Sequence, residues 1–231
     1  MVEPKHNAMK GISPYGTELN KEDLDSKRHR EFVGGLWEEV GQLQFDFMKK
    51  QGLLPNHSLF DIGCGSLRGG LHFIAYLEPG NYCGLDVNAS LIDAGFVEIE
   101  EAQLADRKAN LLVDDQFRFE KFGRKFDYMI SISVFTHLPM NIIIRCLTEA
   151  SNHLKQTGVY FSTFFEAPTP AHLNELVQRP GGVTTYYDSD PFHYSFAEIS
   201  WMADIAGLQV EAIADWEHPR NQKMLAFRIK D

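Results

Sequence analysis

The feature of this chain that most limits its fold is an alternation of short apolar runs with longer amphipathic segments. Five runs are predicted to be strands: "SLFDIG", "NYCGLDV", "QFRFEKF", "FDYMISISV" and "GVYFSTFFE". Helical spacing lies between most of them, as at residues 89–105 and 140–154. Apolar strands separated by helices form parallel sheets covered on both faces. We therefore predict a doubly wound, mostly parallel α/β sheet, closed by an antiparallel pair at "LQVEAIAD" and "KMLAFRIK".

Two segments lie outside this alternation. Residues 1–30 are polar and rich in turn formers, which predicts an arm or lid, and residues 31–51 repeat apolar positions at helical steps, which predicts one helix. Residues 167–194 interrupt the pattern with prolines and predict an insertion on the substrate side. The expected organisation is an arm at 1–30 and a single domain at 31–231 that contains this insertion.

Charge and cysteine content narrow the class of protein. The formal net charge of −10 over 231 residues disfavours a nucleic-acid partner, because a phosphate backbone would be repelled. Three widely spaced cysteines fit neither a disulfide framework nor a four-ligand zinc site, so we expect reduced thiols, a cytoplasmic location and no bound metal. No leader or membrane-spanning segment is expected, since no window has the ~18 apolar residues that a span needs.

The stretch "SLFDIGCGSLRGG" predicts a ligand site after the first strand. Gly63 and Gly65 permit a sharp turn and close approach of a ligand to the backbone, and a helix predicted to start near Leu67 directs free amide groups at it. A dinucleotide fingerprint needs its third glycine one place before Gly69, which weakens the nicotinamide alternative. Asp61 would attract a cationic amino group.

A second acid, Asp86, ends the second strand. At about 20 residues beyond the loop, such a carboxylate can accept hydrogen bonds from a ribose diol. The alternative is that Asp86 caps the helix that begins near Ala89, a role that Asn88 could also fill.

The D-x-G-x-G loop, the acid that closes strand two and "FDYMISISVFTHLP" together resemble the class I S-adenosylmethionine-dependent methyltransferases over residues 53–166. The string "GCGSLRGG" also resembles bacterial small-molecule methyltransferases. The resemblance implies a Rossmann-like fold, with S-adenosylmethionine as cofactor and S-adenosylhomocysteine as product. It places the methionine part at Asp61, Gly63 and Gly65, the ribose at Asp86 and the adenine near Phe119 and Glu120. The expected cofactor contacts are Asp61, Gly63, Cys64, Gly65, Asp86, Val87, Phe119, Glu120 and Ser133.

Residues for the acceptor are expected after strand four and in the insertion. His137 is the first candidate for a general base by position, although His137 or Thr136 could instead cap the next helix. "TTYYDSDPFHYSF" offers a second candidate, His193, in a cluster that a turn before a helix explains only in part. The expected substrate contacts are Tyr15, Trp37, Glu166, Tyr186, Tyr187 and Tyr194.

Glycines in "VGGLWEEVG" are unusual within a predicted helix. Gly34, Gly35 and Gly41 each cost a helix up to ~1 kcal/mol, which close packing or a ligand would have to offset. Tight helix packing is the simpler explanation.

These observations predict a methyltransferase that acts on oxygen, nitrogen or sulfur of a small molecule, as a monomer or homodimer. The alternatives are a protein or RNA methyltransferase and a Rossmann-like protein that binds the cofactor without turnover. A nicotinamide oxidoreductase ranks last.

Overall fold

Seven strands form one mostly parallel sheet in the computed structural model, which describes residues 17–168, 173–213 and 216–230. The strands of the chain are β1 (Leu59–Ile62), β2 (Tyr82–Asp86), β3 (Asn110–Val113), β4 (Phe126–Ser131), β5 (Leu154–Phe164), β6 (Leu176–Gln178), β7 (Val183–Thr185), β8 (Leu208–Ala212) and β9 (Lys223–Ile229). The helices are α1 (Lys21–Asp25), α2 (Arg28–Phe32), α3 (Trp37–Lys50), α4 (Gly70–Tyr76), α5 (Ala89–Glu101), α6 (Met140–His153) and α7 (Phe196–Ile205).

The strand order of the large sheet is β3-β2-β1-β4-β5-β9-β8. Strands β1 to β5 pair in parallel, whereas β9 runs antiparallel to both β5 and β8. Apolar side chains cover both faces, because β1 sends Phe60 toward a core shared with α6 and α7 and Leu59 toward one shared with α3, α4 and α5. The predicted fold class, including the antiparallel closing strand, is confirmed.

The predicted strand at "QFRFEKF" is wrong. Residues Asn110–Val113 form β3 instead, and Phe119–Phe122 is a turn of 3₁₀ helix. Edge strand β3 is half exposed, so it lacks the continuous apolar run that marks the central strands.

The single helix predicted over residues 31–51 is also wrong, because the chain breaks between α2 and α3. Gly34, Gly35 and Leu36 have φ angles of 98°, 60° and 48°, all in the left-handed region that a right-handed helix excludes. The first two glycines therefore serve a turn between two helices, and only Gly41 lies inside a helix.

At Gly41, helix α3 packs closely on the residues that directly precede α4. A Cβ at this position would lie 2.5 Å from the backbone oxygen of Arg68, so only glycine allows the approach. Close packing, the simpler of the two sequence-based explanations, therefore accounts for Gly41.

We expect Gly41→Ala to lower the free energy of unfolding by about 1–3 kcal/mol, because overpacking outweighs the better helix propensity of alanine. Urea denaturation measures this loss. Glu39→Ala, an exposed change on the same helix, is the control. Equal stability of the two variants would contradict the packing argument.

The N-terminal arm, described from residue 17, is attached to α5. The amide of Leu19 donates to Ser90 Oγ at 2.9 Å, and Asn88 Nδ2 donates to the carbonyl of Thr17 at 2.8 Å. Further along, Glu98 accepts from Arg30 Nε at 2.7 Å and from Arg30 Nη2 at 2.7 Å. The arm therefore runs beside the helix that follows β2.

Glu98 forms a mostly buried ion-pair cluster that holds α2 on α5. One oxygen of Glu98 lies 2.8 Å from Nε2 of His29, which is itself buried. Burial alone would raise the pKa of Glu98, but hydrogen bonds from Arg30 and His29 lower it overall. Glu98 is therefore ionised at neutral pH.

No helix among the described residues is long and apolar enough to cross a bilayer.

Candidate active site

A cavity opens where the carboxyl ends of β1, β2 and β4 meet. The strand order reverses between β1 and β4, which is where open α/β sheets bind their ligands. The empty volume of the cavity is about 1090 Å³, including its open mouth. The cavity is lined by Val33, Gln44, Asp61, Ile62, Gly63, Cys64, Gly65, Arg68, Gly69, Leu85, Asp86, Val87, Leu91, Phe117, Ile132, Ser133, Val134, His137 and Leu138.

The glycine-rich loop after β1 is tied to the end of β2. The amides of Gly63 and Cys64 donate to the carbonyl of Leu85 at 2.7 and 3.1 Å, and Gly65 N donates to Asp86 Oδ2 at 2.9 Å. The helix predicted to start near Leu67 begins only at Gly70, because Leu67 has a φ of 73°. The loop is therefore longer than predicted, and hydrogen bonds to β2 hold its path.

Asp61 lies at the end of β1 in the cavity wall and is buried. Tyr82 Oη donates to Asp61 Oδ2 at 2.8 Å. Burial raises the pKa of Asp61 to about 7, against the hydrogen bond from Tyr82, while the neighbouring Asp86 carboxylate adds to the rise. A cation placed here would favour the ionised form, so Asp61 is suited to bind a positive group.

Asp86 ends β2 and lines the same cavity. Its second oxygen, Oδ1, accepts from the Asn88 amide at 2.9 Å. Burial raises the pKa of Asp86, while backbone hydrogen bonds from Asn88, Gly65 and Val87 counteract the rise. Asn88 caps α5 by accepting from the amides of Ser90 and Leu91, so the capping alternative for Asp86 is wrong.

Phe117, and not Phe119 or Glu120, lines the cavity beyond β3. Phe119 is fully buried against Phe60, with ring centroids 4.7 Å apart, and Glu120 is exposed. Asp114 organises this turn, because it accepts from the amides of Gln116 and Arg118 at 2.7 and 3.2 Å.

The prediction that Phe119 and Glu120 lie near the adenine was wrong, because it assumed a strand where the chain forms a turn. A usable signal was present, because each of the first three strands has an aspartate within one residue of its end: Asp61 in β1, Asp86 in β2 and Asp114 after β3.

Ser133 and His137 follow β4 and both line the cavity, as expected. Ser133 N donates to Thr163 Oγ1 at 2.8 Å, and Ser133 Oγ is 2.9 Å from Gln222 Nε2, so this turn is fixed from two sides. His137 Nδ1 lies 2.5 Å from Asp190 Oδ1, across 53 residues of chain. Helix α6 has no side-chain cap from Thr136 or His137, so the capping alternative for this pair is wrong.

His193 and Tyr194 lie outside the cavity lining. His193 is fully buried and its Nδ1 shares a hydrogen bond with Thr185 Oγ1 at 2.8 Å. Tyr194 is also buried and donates to the carbonyl of Leu138. Both side chains therefore hold the insertion in place.

The other expected substrate contacts are not brought together. Glu166 is exposed, and Tyr186 and Tyr187 are partly buried outside the lining of the cavity. Trp37 lies under Arg30, whose guanidinium is 4.8 Å from the ring centroid, and also lies outside the lining. Tyr15 lies outside the described residues.

Arg68 is a cavity residue that the sequence reasoning missed. Its Nη1 donates to the carbonyls of Val33 and Gly35 at 3.0 and 2.9 Å, so it connects the cavity to the turn between α2 and α3. Gln44 on α3 lines the same side. The arginine inside "GCGSLRGG" was the available signal, because a cation within a glycine-rich loop lies near whatever that loop binds.

Within the described ranges, no group of three His, Cys, Asp or Glu side chains is arranged to hold a metal ion.

Solved structures with the same fold are numerous in one class of enzyme. An S-adenosylmethionine-dependent methyltransferase from Clostridium acetobutylicum matches 92% of this chain and 100% of its own, with a TM-score of 0.66 and 11% identity. The CcbJ methyltransferase from Streptomyces caelestis matches 95% and 99%, with a TM-score of 0.68 and 14% identity.

Magnesium protoporphyrin IX methyltransferase from Synechocystis, with bound S-adenosylhomocysteine, matches 88% and 94%, with a TM-score of 0.61 and 15% identity. At these identities the three structures establish the fold.

A match in sequence covers the part of the chain that surrounds the cavity. Residues 60–160 match the family model described as a methyltransferase domain. This range runs from β1 into β5 and contains the glycine-rich loop, Asp61, Asp86 and the turn that carries His137. Over these residues the chain is similar to the methyltransferase domain family, and its fold is that of the solved S-adenosylmethionine-dependent methyltransferases.

Proposed function

We propose that the protein transfers the methyl group of S-adenosylmethionine to an oxygen, nitrogen or sulfur atom of a small molecule bound in this cavity. The observation that carries the proposal is the pair of buried carboxylates, Asp61 and Asp86, on one cavity wall with the glycine-rich loop between them. A ligand that carries both a cationic group and a diol would match this pair, because one carboxylate can bind the cation and the other can accept hydrogen bonds from the diol.

The absence of a side chain at Gly63 also supports the cofactor. A Cβ at Gly63 would lie 2.5 Å from Val134 Cγ2, so a side chain there would close the cradle. We assign Asp61 to the amino group of the methionine part, Asp86 to the ribose hydroxyls, and Cys64 and Val87 to the adjoining walls. Phe117 takes the place at the adenine that the sequence assigned to Phe119 and Glu120.

When bound, the cofactor supplies a methyl group on a positively charged sulfur. The chain has to align the acceptor with this carbon and exclude water, and alignment alone can contribute ~7–11 kcal/mol. Apolar residues, among them Ile132, Val134 and Leu138, provide the dry wall near His137. His137 is the cavity histidine and our candidate for the base that accepts the proton of a hydroxyl or ammonium acceptor.

The acceptor side is formed by the segments outside the central alternation. Residues 17–30 of the arm are attached to α5 by the contacts of Leu19 and Asn88, and the described end of the insertion reaches His137 through Asp190. We therefore keep the division into an arm and one domain at 31–231, with both segments closing over the acceptor.

Charge supports a small acceptor over a nucleic acid. The net charge is −10, and Arg68 of the cavity wall donates to the carbonyls of Val33 and Gly35. Arg30 and Arg220, which are not part of that wall, also donate to groups of the chain itself, at Glu98 and Gly34. The Synechocystis structure is named for magnesium protoporphyrin IX, a small molecule, which supports the same class of acceptor here. The three cysteines are free and buried, in keeping with a cytoplasmic location.

Titration with S-adenosylhomocysteine tests the cofactor half. We expect micromolar binding by the intact protein, no binding of NAD, and an affinity about 100-fold lower in Asp86→Ala, since charged hydrogen bonds are worth about 1.5–3 kcal/mol each. Asp93→Ala removes an equal charge from an exposed site on α5 and should bind normally. Absence of binding by the intact protein would refute the proposal.

Methyl transfer from labelled S-adenosylmethionine tests the acceptor half. Label should enter small molecules that carry hydroxyl, amino or thiol groups, and not protein or RNA. Label in protein or RNA would favour the macromolecular alternative, and tight cofactor binding without transfer to any acceptor would favour a non-catalytic protein.

A further inference from the structure

The end of the insertion is joined to the turn after β4 at three successive points. Phe192 N donates to the carbonyl of Thr136 at 2.7 Å, and Tyr194 Oη donates to the carbonyl of Leu138 at 2.5 Å. The third contact is the pair of Asp190 Oδ1 and His137 Nδ1, at 2.5 Å. The backbone on both sides of His137 and the segment that follows Asp190 are therefore fixed, and the separation of the two residues depends on more than their side chains.

Asp190 differs from a carboxylate that merely supports its own turn. Asp114 illustrates that role, because its Oδ1 accepts the amides of Gln116 and Arg118. In the part of the chain that the structure describes, Asp190 makes its hydrogen bond to His137 alone, and its Oδ2 is buried without a partner. A buried acceptor left in this state is destabilising, because it loses its hydrogen bonds to water and gains none in the protein. Stability of the turn gives no reason for this cost, whereas orientation of His137 does.

The contact determines the chemistry of the imidazole. A carboxylate accepts hydrogen bonds, so Nδ1 of His137 carries the hydrogen and the lone pair is on Nε2. The same carboxylate would stabilise the positive charge that develops when Nε2 takes up a proton. The other ionisable side chains that line this cavity are Asp61, Cys64, Asp86 and Arg68.

We propose that Asp190 is the positioning residue for His137 as general base, and that the acceptor is therefore a hydroxyl or amine that must lose a proton during transfer. In the step, the acceptor heteroatom forms a bond to the methyl carbon and its proton passes to Nε2 of His137. The carbon–sulfur bond breaks and its electron pair remains on sulfur. A thiolate acceptor would need no such base. This inference rests on the proposed function and extends it to the acceptor.

Nitrogen-15 NMR of the histidine rings tests the orientation without any acceptor. The ring signals of His137 are identified as those missing from the spectrum of His137→Gln. In intact protein saturated with S-adenosylhomocysteine, we expect these signals to show the hydrogen on Nδ1. In Asp190→Ala this preference should be lost. Asp188→Ala, an exposed change in the same insertion, should retain it. An unchanged tautomer in Asp190→Ala overturns the inference.

Kinetics with the acceptor found in the labelling screen provide the second test. Asp190→Asn should lower kcat about 10²–10⁴-fold with little change in KM, the range for a lost general base. Asp190→Glu should recover part of that loss. A rise in KM alone, or a loss equal to that of Asp188→Ala, would overturn the positioning role.

The two proposals fail in different ways. S-adenosylhomocysteine affinity within about two-fold of the intact protein shows that an Asp190 variant is folded and that its cofactor half is intact. If the intact protein fails to bind S-adenosylhomocysteine, the proposed function fails. If binding persists but the tautomer of His137 does not depend on Asp190, only the inference fails.

Discussion

Asp61→Asn is expected to abolish measurable binding of S-adenosylhomocysteine and at the same time to stabilise the ligand-free protein above pH 7. Asparagine can still accept the hydrogen bond from Tyr82 but carries no charge to attract a cationic amino group. The stabilising effect comes from the burial of Asp61, which penalises its ionised form.

The pH dependence follows from the proton balance. In the unfolded chain an aspartate has a pKa of about 3.9, whereas burial raises the pKa of Asp61 in the folded protein to about 7. Between these values the folded state binds more protons, so the contribution of this group to stability is present at low pH and is lost as the pH rises through 7. Asparagine has no proton to lose and avoids this loss.

Thermal denaturation at pH 5 and pH 8, with and without S-adenosylhomocysteine, measures both effects. We expect Asp61→Asn to gain on the order of 2 kcal/mol over the intact protein at pH 8, a rise in Tm of about 4–8 °C, and much less at pH 5. The ligand should raise the Tm of the intact protein alone. The exposed change Asp106→Asn is the control. An equal ligand effect on the intact protein and Asp61→Asn would contradict the role given to this carboxylate.

Gly63→Ala is expected to destabilise the protein by about 2–5 kcal/mol and to reduce affinity for S-adenosylhomocysteine at least about 100-fold. Two costs add at this position. The φ of 73° is strained for alanine by roughly 1–2 kcal/mol, and the new Cβ would lie 2.5 Å from Val134 Cγ2, which costs about 1–3 kcal/mol of overpacking.

Gly123→Ala separates these two costs. Gly123 has a φ of 63°, but a Cβ added there would meet nothing within 4 Å, so its substitution incurs the backbone strain alone. Urea denaturation should show a smaller loss for Gly123→Ala, with unchanged ligand affinity by titration. The double change Gly63→Ala with Val134→Ala should recover the packing part only. Equal losses for the two single glycine changes would refute the contact with Val134.

Local patterns were sufficient for much of the fold. β1, β2, β4 and the part of β5 from Gly158 onward are mostly buried on both faces, so each appears as a mainly apolar run. The half-exposed edge strand β3 has no such run and was misplaced. The break between α2 and α3 was missed because the apolar spacing continues across Gly34 and Gly35, although their left-handed backbone ends the helix.

The same distinction applies to the candidate site. Asp61, Gly63, Gly65 and Asp86 follow directly from strand ends and a glycine-rich loop, and the structure places all four around one cavity. Phe117 was missed because the turn organised by Asp114 decides which aromatic reaches that cavity.

The sequence by itself determined the parallel sheet and the two carboxylates at its carboxyl edge, because each depends on residues within one strand and its adjoining loop. Only the tertiary structure decided that His137 pairs with Asp190 while His193 is buried with Thr185. Both histidines have aromatic and polar neighbours in sequence, so their local contexts do not separate them. Their roles depend on which groups the folded chain brings within hydrogen-bonding distance, and for His137 that group lies 53 residues away.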